Sequence, residues 1–383
     1  MPLFNTATEV FSTLFIWLIG LAITEFFRKS FKLKFTISHI LYLWHSLFSL
    51  TYAIYAQTHS ADANGYFRRA LTGDMNFGIG TTFIDFFTHF FVSTFHLSYL
   101  GTFFLFHIFG FIGLLAFYAS LNQIVKGKTK FIKRLVLITV FLPSLSFWTA
   151  AIGKDSLIFM AIGLSLWASL KLKKRMLLII FSIAIIAIIR PHIAGIFIIA
   201  LSISFTLDKN LPLIRRFILG ILSLLAVSIM VPFALKYAGL NDISQGANVI
   251  NYIEERQSYN QQGGAGIDIS AMSLPSQLFT YTFRPLPIEA HSTTSLLASL
   301  DNLFLFILFV LFVRGFYKNK KVSHHYNTAF IVPYIIFTWL ILATTTANLG
   351  IAIRQKWMFL PFLIFIFFLY IGNKKKGIYK YEA

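Results

Sequence analysis

The sequence contains no cysteine and few charged residues for its length. Its 383 residues include no Cys, and only 12% of them are Asp, Glu, Lys or Arg. The absence of cysteine excludes disulfide bonds and thiolate metal sites. A soluble domain carries about 25% charged residues, so the low charge, together with 57% hydrophobic residues, excludes an ordinary soluble protein.

Long apolar runs recur along the chain and are typical of membrane spans. We predict an all-α fold, a polytopic helical membrane protein with about 11 transmembrane helices in a single integral membrane domain over residues 1–383. The first span has no basic segment before it and no small-residue cleavage site after it, so we expect it to be retained. The predicted spans are 8–26, 38–56, 99–121, 135–151, 156–170, 176–189, 193–207, 217–235, 296–313, 327–346 and 357–372.

The net charge of +19 is concentrated on one side of the predicted membrane. Six clusters contain 24 of the 33 Lys and Arg residues. By the positive-inside rule these clusters are cytoplasmic, with the amino terminus outside and the carboxyl terminus inside. The excess charge is therefore an orientation signal, and the lack of a long basic soluble surface argues against binding to nucleic acid. The clusters are 28–34, 126–134, 171–175, 208–216, 314–321 and 373–380.

Two long segments lie on the opposite, outer side. The first periplasmic loop is predicted at 57–98, and its Phe-rich part, 80–97, is expected to lie in the membrane interface as a short helix. A large periplasmic loop is predicted at 236–295. Loops of more than about fifteen residues are usually functional. No internal repeat is evident, which argues against a transporter built from two similar halves.

Lys154 and Asp155 form the first candidate site, at the outer corner between the fourth and fifth spans. No other charged residue lies between Arg134 and Lys171. An ionisable residue beside a membrane span is unfavourable and is by default a candidate for function. The alternative is a simple turn with a snorkelling lysine.

The segment IIRPHIAG (188–195) contributes Arg190 and His192 between two apolar runs, where Pro191 breaks the helix. Arginine is permanently charged and binds phosphate oxygens with its forked guanidinium group. Histidine titrates near neutral pH. Arg190 could instead simply anchor the end of a span.

Two later segments add three cations. Two prolines make a rigid turn around Arg284 in FTYTFRPLPIEAH (279–291), although a solvated loop explains this segment as well. Arg354 and Lys356 open the last span on the outer side, against the positive-inside trend. Their alternative role is snorkelling beside Trp357 as an interfacial anchor.

The first outer loop contains Asp62, Tyr66 and Arg69. The Asp62 carboxylate could act as a general base or bind a cation, and it could equally cap the helix that follows. We expect the outer cations to converge on one cavity near the outer leaflet. Paired arginine forks in such a cavity would suit a phosphate or diphosphate attached to a lipid.

The order of these parts resembles the polytopic glycosyltransferases of the GT-C type and, more narrowly, the Wzy-like polymerases of bacterial O-antigen and capsule repeat units. The likeness covers most of the chain in topology. It is carried by Asp62 with Tyr66, FWTAAIGKD (147–155), IRPH (189–192) and FRPLP (283–287).

The resemblance implies a multi-pass enzyme of the bacterial inner (cytoplasmic) membrane. It would join oligosaccharide units carried on undecaprenyl diphosphate, on the periplasmic side of the membrane. No metal ion or other cofactor is implied, because arginines serve where other transferases use a cation. The implied partners are the lipid-linked glycan, membrane lipid and a polysaccharide chain-length regulator.

The resemblance also assigns roles to residues. Asp62 matches the acid that GT-C enzymes keep in this loop and would deprotonate or orient the acceptor hydroxyl. Only one acid occupies the loop motif here, where many GT-C enzymes have a pair, so His192 stays a rival base. Arginines 190, 284 and 354 would hold the diphosphate leaving group. The further substrate-binding candidates are Tyr66, Arg69, Lys154, Asp155 and Lys356.

Two other functions compete with this interpretation. A flippase for lipid-linked oligosaccharide needs charged groups along a path through the bilayer, whereas the charges here lie at one face. A membrane acyltransferase would need a reactive histidine near the inner side. His39 and His45 are candidates for that role, but they have no nearby partner acid in the sequence.

Overall fold

The computed structural model of the chain is all-helical. It describes residues 1–73, 75–208, 211–237, 257, 266–269, 271–318 and 326–372. Helix accounts for 81% of the structure and no strand occurs in these ranges, which confirms the all-α prediction. The helices are α1 (Ala7–Ser30), α2 (Phe35–Thr58), α3 (Asp62–Leu71), α4 (Thr81–Phe95), α5 (Tyr99–Ile124), α6 (Lys130–Val140), α7 (Pro143–Thr149), α8 (Lys154–Ser169), α9 (Met176–Ile189), α10 (Pro191–Leu207), α11 (Leu213–Tyr237), α12 (Leu274–Phe283), α13 (Thr293–Lys318), α14 (Thr328–Thr345), α15 (Leu349–Gln355) and α16 (Leu360–Tyr370).

Several of these helices are long and apolar enough to cross a membrane. Five qualify over the described ranges: α1, α5, α6 with α7, α13 and α14. A sixth is obtained if Leu349–Met358 and Leu360–Tyr370, which meet at a bend of 66°, form one broken span. Helices α9 and α10 are apolar but shorter. The expectation of a helical, multi-pass architecture agrees with this, whereas the count of eleven and the orientation stay predictions.

Helix α1 has the burial pattern expected of a helix that faces lipid. Its buried residues are the small Thr13, Gly20 and Thr24, whereas Phe11 and Phe15 are 72% and 64% exposed. Such a pattern would be unfavourable in water. In a bilayer, apolar side chains face the acyl chains and small residues let helices approach closely.

Helices α5 and α8 form the centre of the molecule. Almost every residue of α5 is buried. A Cβ atom at Gly113 would lie 2.4 Å from the Phe159 carbonyl oxygen, and one at Gly163 would lie 2.1 Å from the Gly113 carbonyl oxygen. Because neither position has room for a side chain, the two backbones pack directly against each other.

Proline determines where several helices begin. Pro143, Pro191, Pro275 and Pro361 all lie in the first turn of a helix, where the missing N–H is not needed. The break that Pro191 predicts is therefore present, because α9 ends at Ile189 and α10 begins at the proline itself. Arg190 is the single residue between the two helices.

The two segments that the sequence predicts as outer loops contain short helices. Helices α3 and α4 occupy the segment 57–98, and the Gly80 amide donates to the Ile188 carbonyl at 2.8 Å, which joins the start of α4 to the end of α9. In the second loop, 236–295, the described residues include α12 and a single 3-10 turn, Pro287–Glu289. Residues 238–256, 258–265 and 270, which include most of the glycine-rich stretch 261–268, lie outside the described residues.

Candidate functional site

A glycine turn presents Lys154 and Asp155 at the start of α8. Gly153 joins α7 to α8 with φ of 147°, a conformation that side chains other than hydrogen rarely allow. A Cβ atom there would also lie 3.4 Å from the Tyr66 ring. Asp155 is in the first turn of α8, where the helix dipole favours a negative charge.

Asp155 bridges two arginines from distant parts of the chain. Its Oδ1 atom lies 3.2 Å from Arg190 Nη2, and its Oδ2 atom lies 3.1 Å from Arg354 Nε. All three side chains are largely buried, with exposed fractions of 11% for Arg190, 18% for Asp155 and 25% for Arg354. One carboxylate thus holds two guanidinium groups side by side.

Asp62 completes the chain of ion pairs from the other side. Arg354 Nη1 donates to Asp62 Oδ2 at 2.6 Å, although the two residues are 292 positions apart. Asp62 is the first residue of α3, where Ala61 is the cap, and its side chain is 61% exposed. The carboxylate therefore reaches the arginine instead of capping its own helix.

The position of Asp62 depends on a neighbouring hydrogen-bond relay. Asn64 donates to the Ala56 carbonyl at 2.5 Å and accepts from the Tyr99 hydroxyl at 2.5 Å. These bonds fix α3 against α2 and α5. The four segments that contain Asp62, Asp155, Arg190 and Arg354 therefore meet at one point, which we call the ion cluster; it includes Lys154.

Lys154 lies in a part of the ion cluster that disfavours its positive charge. Burial, and then repulsion from Arg190, lower the pKa of its ammonium group to about 8, and attraction to Asp155 offsets this only in part. The cluster therefore contains three cationic side chains and two carboxylates, an excess of one positive charge when Lys154 is protonated. Such a balance favours an anionic ligand.

A cleft of about 20 Å³ opens onto the ion cluster. Its walls also include Tyr52, Tyr66 and Trp148. This volume accommodates about one water molecule, so a phosphate can enter only if a side chain moves aside. Asp62 is the most exposed member of the ion pairs, which makes it the side chain best able to move.

A much larger cavity, of about 790 Å³, lies on the other side of Trp148. The two spaces share this tryptophan as a wall. The cavity is lined by residues of α2, α7, α13 and α15 and by the FRPLP turn. A volume of this size is typical of a small-molecule site, and we call it the large cavity.

Arg284 belongs to the large cavity and not to the ion cluster. Its Nε atom donates to Glu289 Oε1 at 2.8 Å, and Glu289 Oε2 accepts from the Leu286 amide at 2.7 Å. The hydrogen bonds from Arg284, in particular, lower the pKa of Glu289. The prediction that Arg284 joins Arg190 and Arg354 on one diphosphate is therefore not supported by its position.

Lys356 lies in neither space. It is fully buried and donates to the Thr282 carbonyl at 3.2 Å and to the side-chain oxygen of Asn302. Asn302 in turn donates to the Pro285 carbonyl at 3.0 Å. Lys356 thus joins α12 to α13, and Asn302 joins α13 to the FRPLP turn, so Lys356 has a structural role and lines neither space.

The remaining predicted residues are divided between the cleft and its surroundings. Tyr66 lines the cleft, and burial raises the pKa of its phenol to about 12. Arg69 lies 2.9 Å from Asp85 Oδ1 and stacks over the Tyr66 ring at 5.3 Å, outside the cleft lining. His192 lies in the first turn of α10 and is not among the described residues that line either space.

Sequence reasoning overlooked one anion and one aromatic wall. Asp85, the partner of Arg69, lies inside a phenylalanine-rich segment. Tyr52 lies inside the predicted span 38–56, although it lines the cleft. Tyr281 is 2% exposed and its hydroxyl has no hydrogen-bond partner among the described residues, although it lies within electrostatic range of Arg190.

The ligand that the cleft can accept follows from its donors. Within the described ranges, no group of three or more His, Cys, Asp and Glu residues is arranged to hold a metal ion. Both carboxylates of the ion cluster face arginines. The groups available to an incoming ligand are N–H donors, which suit phosphate or carboxylate oxygens.

The chain was compared with known proteins at three levels. No protein-family model, no curated protein and no solved structure matches it.

Proposed function

We propose that this chain is a membrane glycosyltransferase that joins oligosaccharide units carried on undecaprenyl diphosphate, at the periplasmic side of the bacterial inner membrane. The observation that supports the proposal is the meeting of Arg190, Arg354 and Lys154 in one cleft beside the large cavity. Arginine forks bind phosphate oxygens in pairs, and a cation cluster at a span end suits a lipid diphosphate.

In the proposed reaction the diphosphate is the leaving group. The bond between the anomeric carbon and the diphosphate oxygen breaks, and its electron pair stays with the diphosphate. The acceptor hydroxyl oxygen forms the new bond to the anomeric carbon, and its proton passes to a carboxylate. Arg190, Arg354 and protonated Lys154 stabilise the charge that develops on the leaving group.

Asp62 is the carboxylate best placed to accept that proton. It lines the cleft, whereas His192 is absent from the described lining, so the geometry favours Asp62 over the rival base. When a phosphate takes its place on Arg354, the Asp62 carboxylate is released beside the bound substrate. Asp155 stays between the two arginines and keeps their forks at a fixed spacing.

The test is the polymer made by cells in which the chain is replaced by the variant Arg190→Ala or Arg354→Ala. We expect loss of long polymer, with single capped units still present outside, because an uncharged side chain cannot stabilise the leaving group. Arg28→Ala is the matched control, since Arg28 forms an ion pair with Glu25 at the end of α1, away from the cleft.

Other outcomes decide between functions. If the variants prevent any unit from appearing outside, the chain is a flippase for lipid-linked oligosaccharide. If polymer length and yield are normal in both arginine variants while Arg28→Ala is also normal, the ion cluster has no role in transfer and the proposal is wrong.

A further inference from the structure

The large cavity differs from the cleft in volume and in charge. It encloses about 790 Å³, against about 20 Å³ for the cleft. Its ionisable lining residues, among those described, are Arg284, Glu289 and His291. Because Arg284 and Glu289 neutralise each other in an ion pair, the cavity offers an anion little of the attraction that the ion cluster offers.

Hydrogen bonds hold Arg284 and Glu289 together as a neutral pair. Glu289 accepts from the Arg284 guanidinium through one oxygen and from the Leu286 amide through the other. Both oxygens are therefore engaged, and Arg284 is held against its partner by the turn that both residues share. An anionic ligand that approaches Arg284 would therefore also meet the negative charge of Glu289.

Other lining groups suit a neutral, hydroxyl-rich ligand. Ser292, Thr294 and Ser295 supply hydroxyls from the start of α13, and Trp148 and Tyr55 supply aromatic walls from α7 and α2. Hydroxyl groups donate and accept hydrogen bonds, and aromatic faces pack against the C–H faces of sugar rings. A binding pocket that is selective for its ligand typically has a mainly apolar wall with a small number of well-placed polar groups.

One edge of the large cavity is suited to an acyl or prenyl chain. Ile288 is 90% exposed and Leu297 is 46% exposed, and both line the cavity. Thr51, on the exposed face of α2, also lines it. An amphiphile could therefore place its sugar inside and its tail along this apolar edge.

We propose that the large cavity binds the neutral saccharide part of a lipid-linked acceptor, and that Trp148 separates this saccharide from the diphosphate of the donor. The inference rests on the proposed function, because it assigns the second substrate of the same transfer. Trp148 lines both spaces, so an acceptor hydroxyl at its edge would reach the cleft beside Asp62. The competing occupant is the prenyl tail of the donor itself.

Two photoreactive probes distinguish these occupants. One is a neutral alkyl glycoside with a diazirine on the sugar, and the other is farnesyl diphosphate with a diazirine on its tail. The protein in lipid nanodiscs is labelled with each probe, and the labelled residues are identified by mass spectrometry. The variants are Thr51→Trp, which fills the cavity, and Ile54→Trp, which adds the same bulk to α2 at an exposed position outside both linings.

We expect the glycoside to label the cavity in the wild type and in Ile54→Trp. In Thr51→Trp the labelling should fall about tenfold, equivalent to about 1.4 kcal/mol, because the indole takes up space inside the cavity that the glycoside needs. Arg190→Ala should leave glycoside labelling unchanged but weaken that by farnesyl diphosphate. Thr294→Trp, at the start of α13, fills the same cavity from the other side and provides a second variant if Thr51→Trp does not fold.

Two results would overturn the inference. Glycoside labelling that is equal in Thr51→Trp, Thr294→Trp and the wild type would place the saccharide elsewhere. Loss of farnesyl diphosphate labelling in the cavity-filling variants would mean that the cavity holds the donor tail. Farnesyl diphosphate labelling that does not depend on Arg190 would instead contradict the proposed function, and leaves the cavity assignment to be judged by the glycoside alone.

Discussion

Two lysines that the sequence indicated as substrate-binding candidates, Lys154 and Lys356, lie in different environments. Lys356 is fully buried and donates to a backbone carbonyl and to Asn302, which belongs to the same packed core. Lys154 lines a cleft among arginines and carboxylates, one of which, Asp62, is 61% exposed. The same residue type is thus part of the framework at one position and part of a candidate site at the other.

The comparison shows which property marks a site. Lys356 has neutral partners that are themselves held by other bonds, so no ligand can replace them without disrupting the core. The cations of the ion cluster have carboxylate partners, and a phosphate can take the place of a carboxylate on an arginine. The ion cluster thus differs from the surroundings of Lys356 because a ligand can replace the partners of its cations. The presence of charge alone does not distinguish the two regions.

The largest expected effect is on stability, at Lys356. Lys356→Met removes the positive charge near the buried Asp301 and the bonds to Thr282 and Asn302. We expect the free energy of unfolding to fall by about 3 kcal/mol, measured by denaturation in detergent micelles. Lys154→Met is the matched variant and should unfold like the wild type. A stable Lys356→Met that has lost substrate binding would reverse the assignment of the two lysines.

The next effect is on catalysis, at Arg354. Arg354→Ala removes the guanidinium that links both carboxylates. We expect the rate of glycosyl transfer to fall at least about a hundredfold, measured with lipid-linked oligosaccharide and the protein in nanodiscs. Arg28→Ala serves as the control. Transfer at the wild-type rate in Arg354→Ala would show that the ion cluster does not contact the leaving group.

At Asp62 the expected effect on binding is smaller and is opposite in sign to the effect on turnover. Asp62→Asn removes the negative charge that occupies Arg354, so inorganic diphosphate should bind about tenfold more tightly, equivalent to about 1.4 kcal/mol. Turnover should nevertheless be lost, because the amide cannot accept the acceptor proton. Calorimetry and product analysis measure the two quantities. Weaker binding in Asp62→Asn would contradict the idea that the carboxylate competes with the ligand.

The smallest effect is a dependence of binding on pH, through Lys154. The pKa of Lys154 is about 8, so the ammonium is charged below this pH and neutral above it. Affinity for inorganic diphosphate should therefore decrease as the pH rises through about 8, by about threefold to fivefold. Lys154→Arg stays charged and should remove the decrease. A decrease of the same size in Lys154→Arg would assign the titration to another group.

The overall class of the fold could be predicted because it depends on local patterns. Apolar runs predict helices, and the helix break at Pro191 and the corner at Lys154 and Asp155 are present where the sequence indicates them. Arg190 and Lys154 were consequently placed near a helix junction by sequence alone. Each of these features depends on residues close together in the chain.

The composition of the candidate site could be predicted only in part. Arg284 has a partner five residues away, Glu289, yet the sequence could not show that this pair would face a separate cavity. Asp62 and Arg354 are 292 positions apart, and no local pattern connects them. Lys356 looked like a ligand-binding cation because its neutral partners carry no sequence signal.

The sequence by itself determined the all-helical fold of this chain and its apolar helices long enough to cross a membrane, through the spacing of apolar runs and prolines. Only the tertiary structure decided which cations share a cleft, because the carboxylates that hold them come from helices that are distant in the chain. Charge is a property of single residues, whereas its availability to a ligand depends on which neighbours the packed helices bring within a few ångströms.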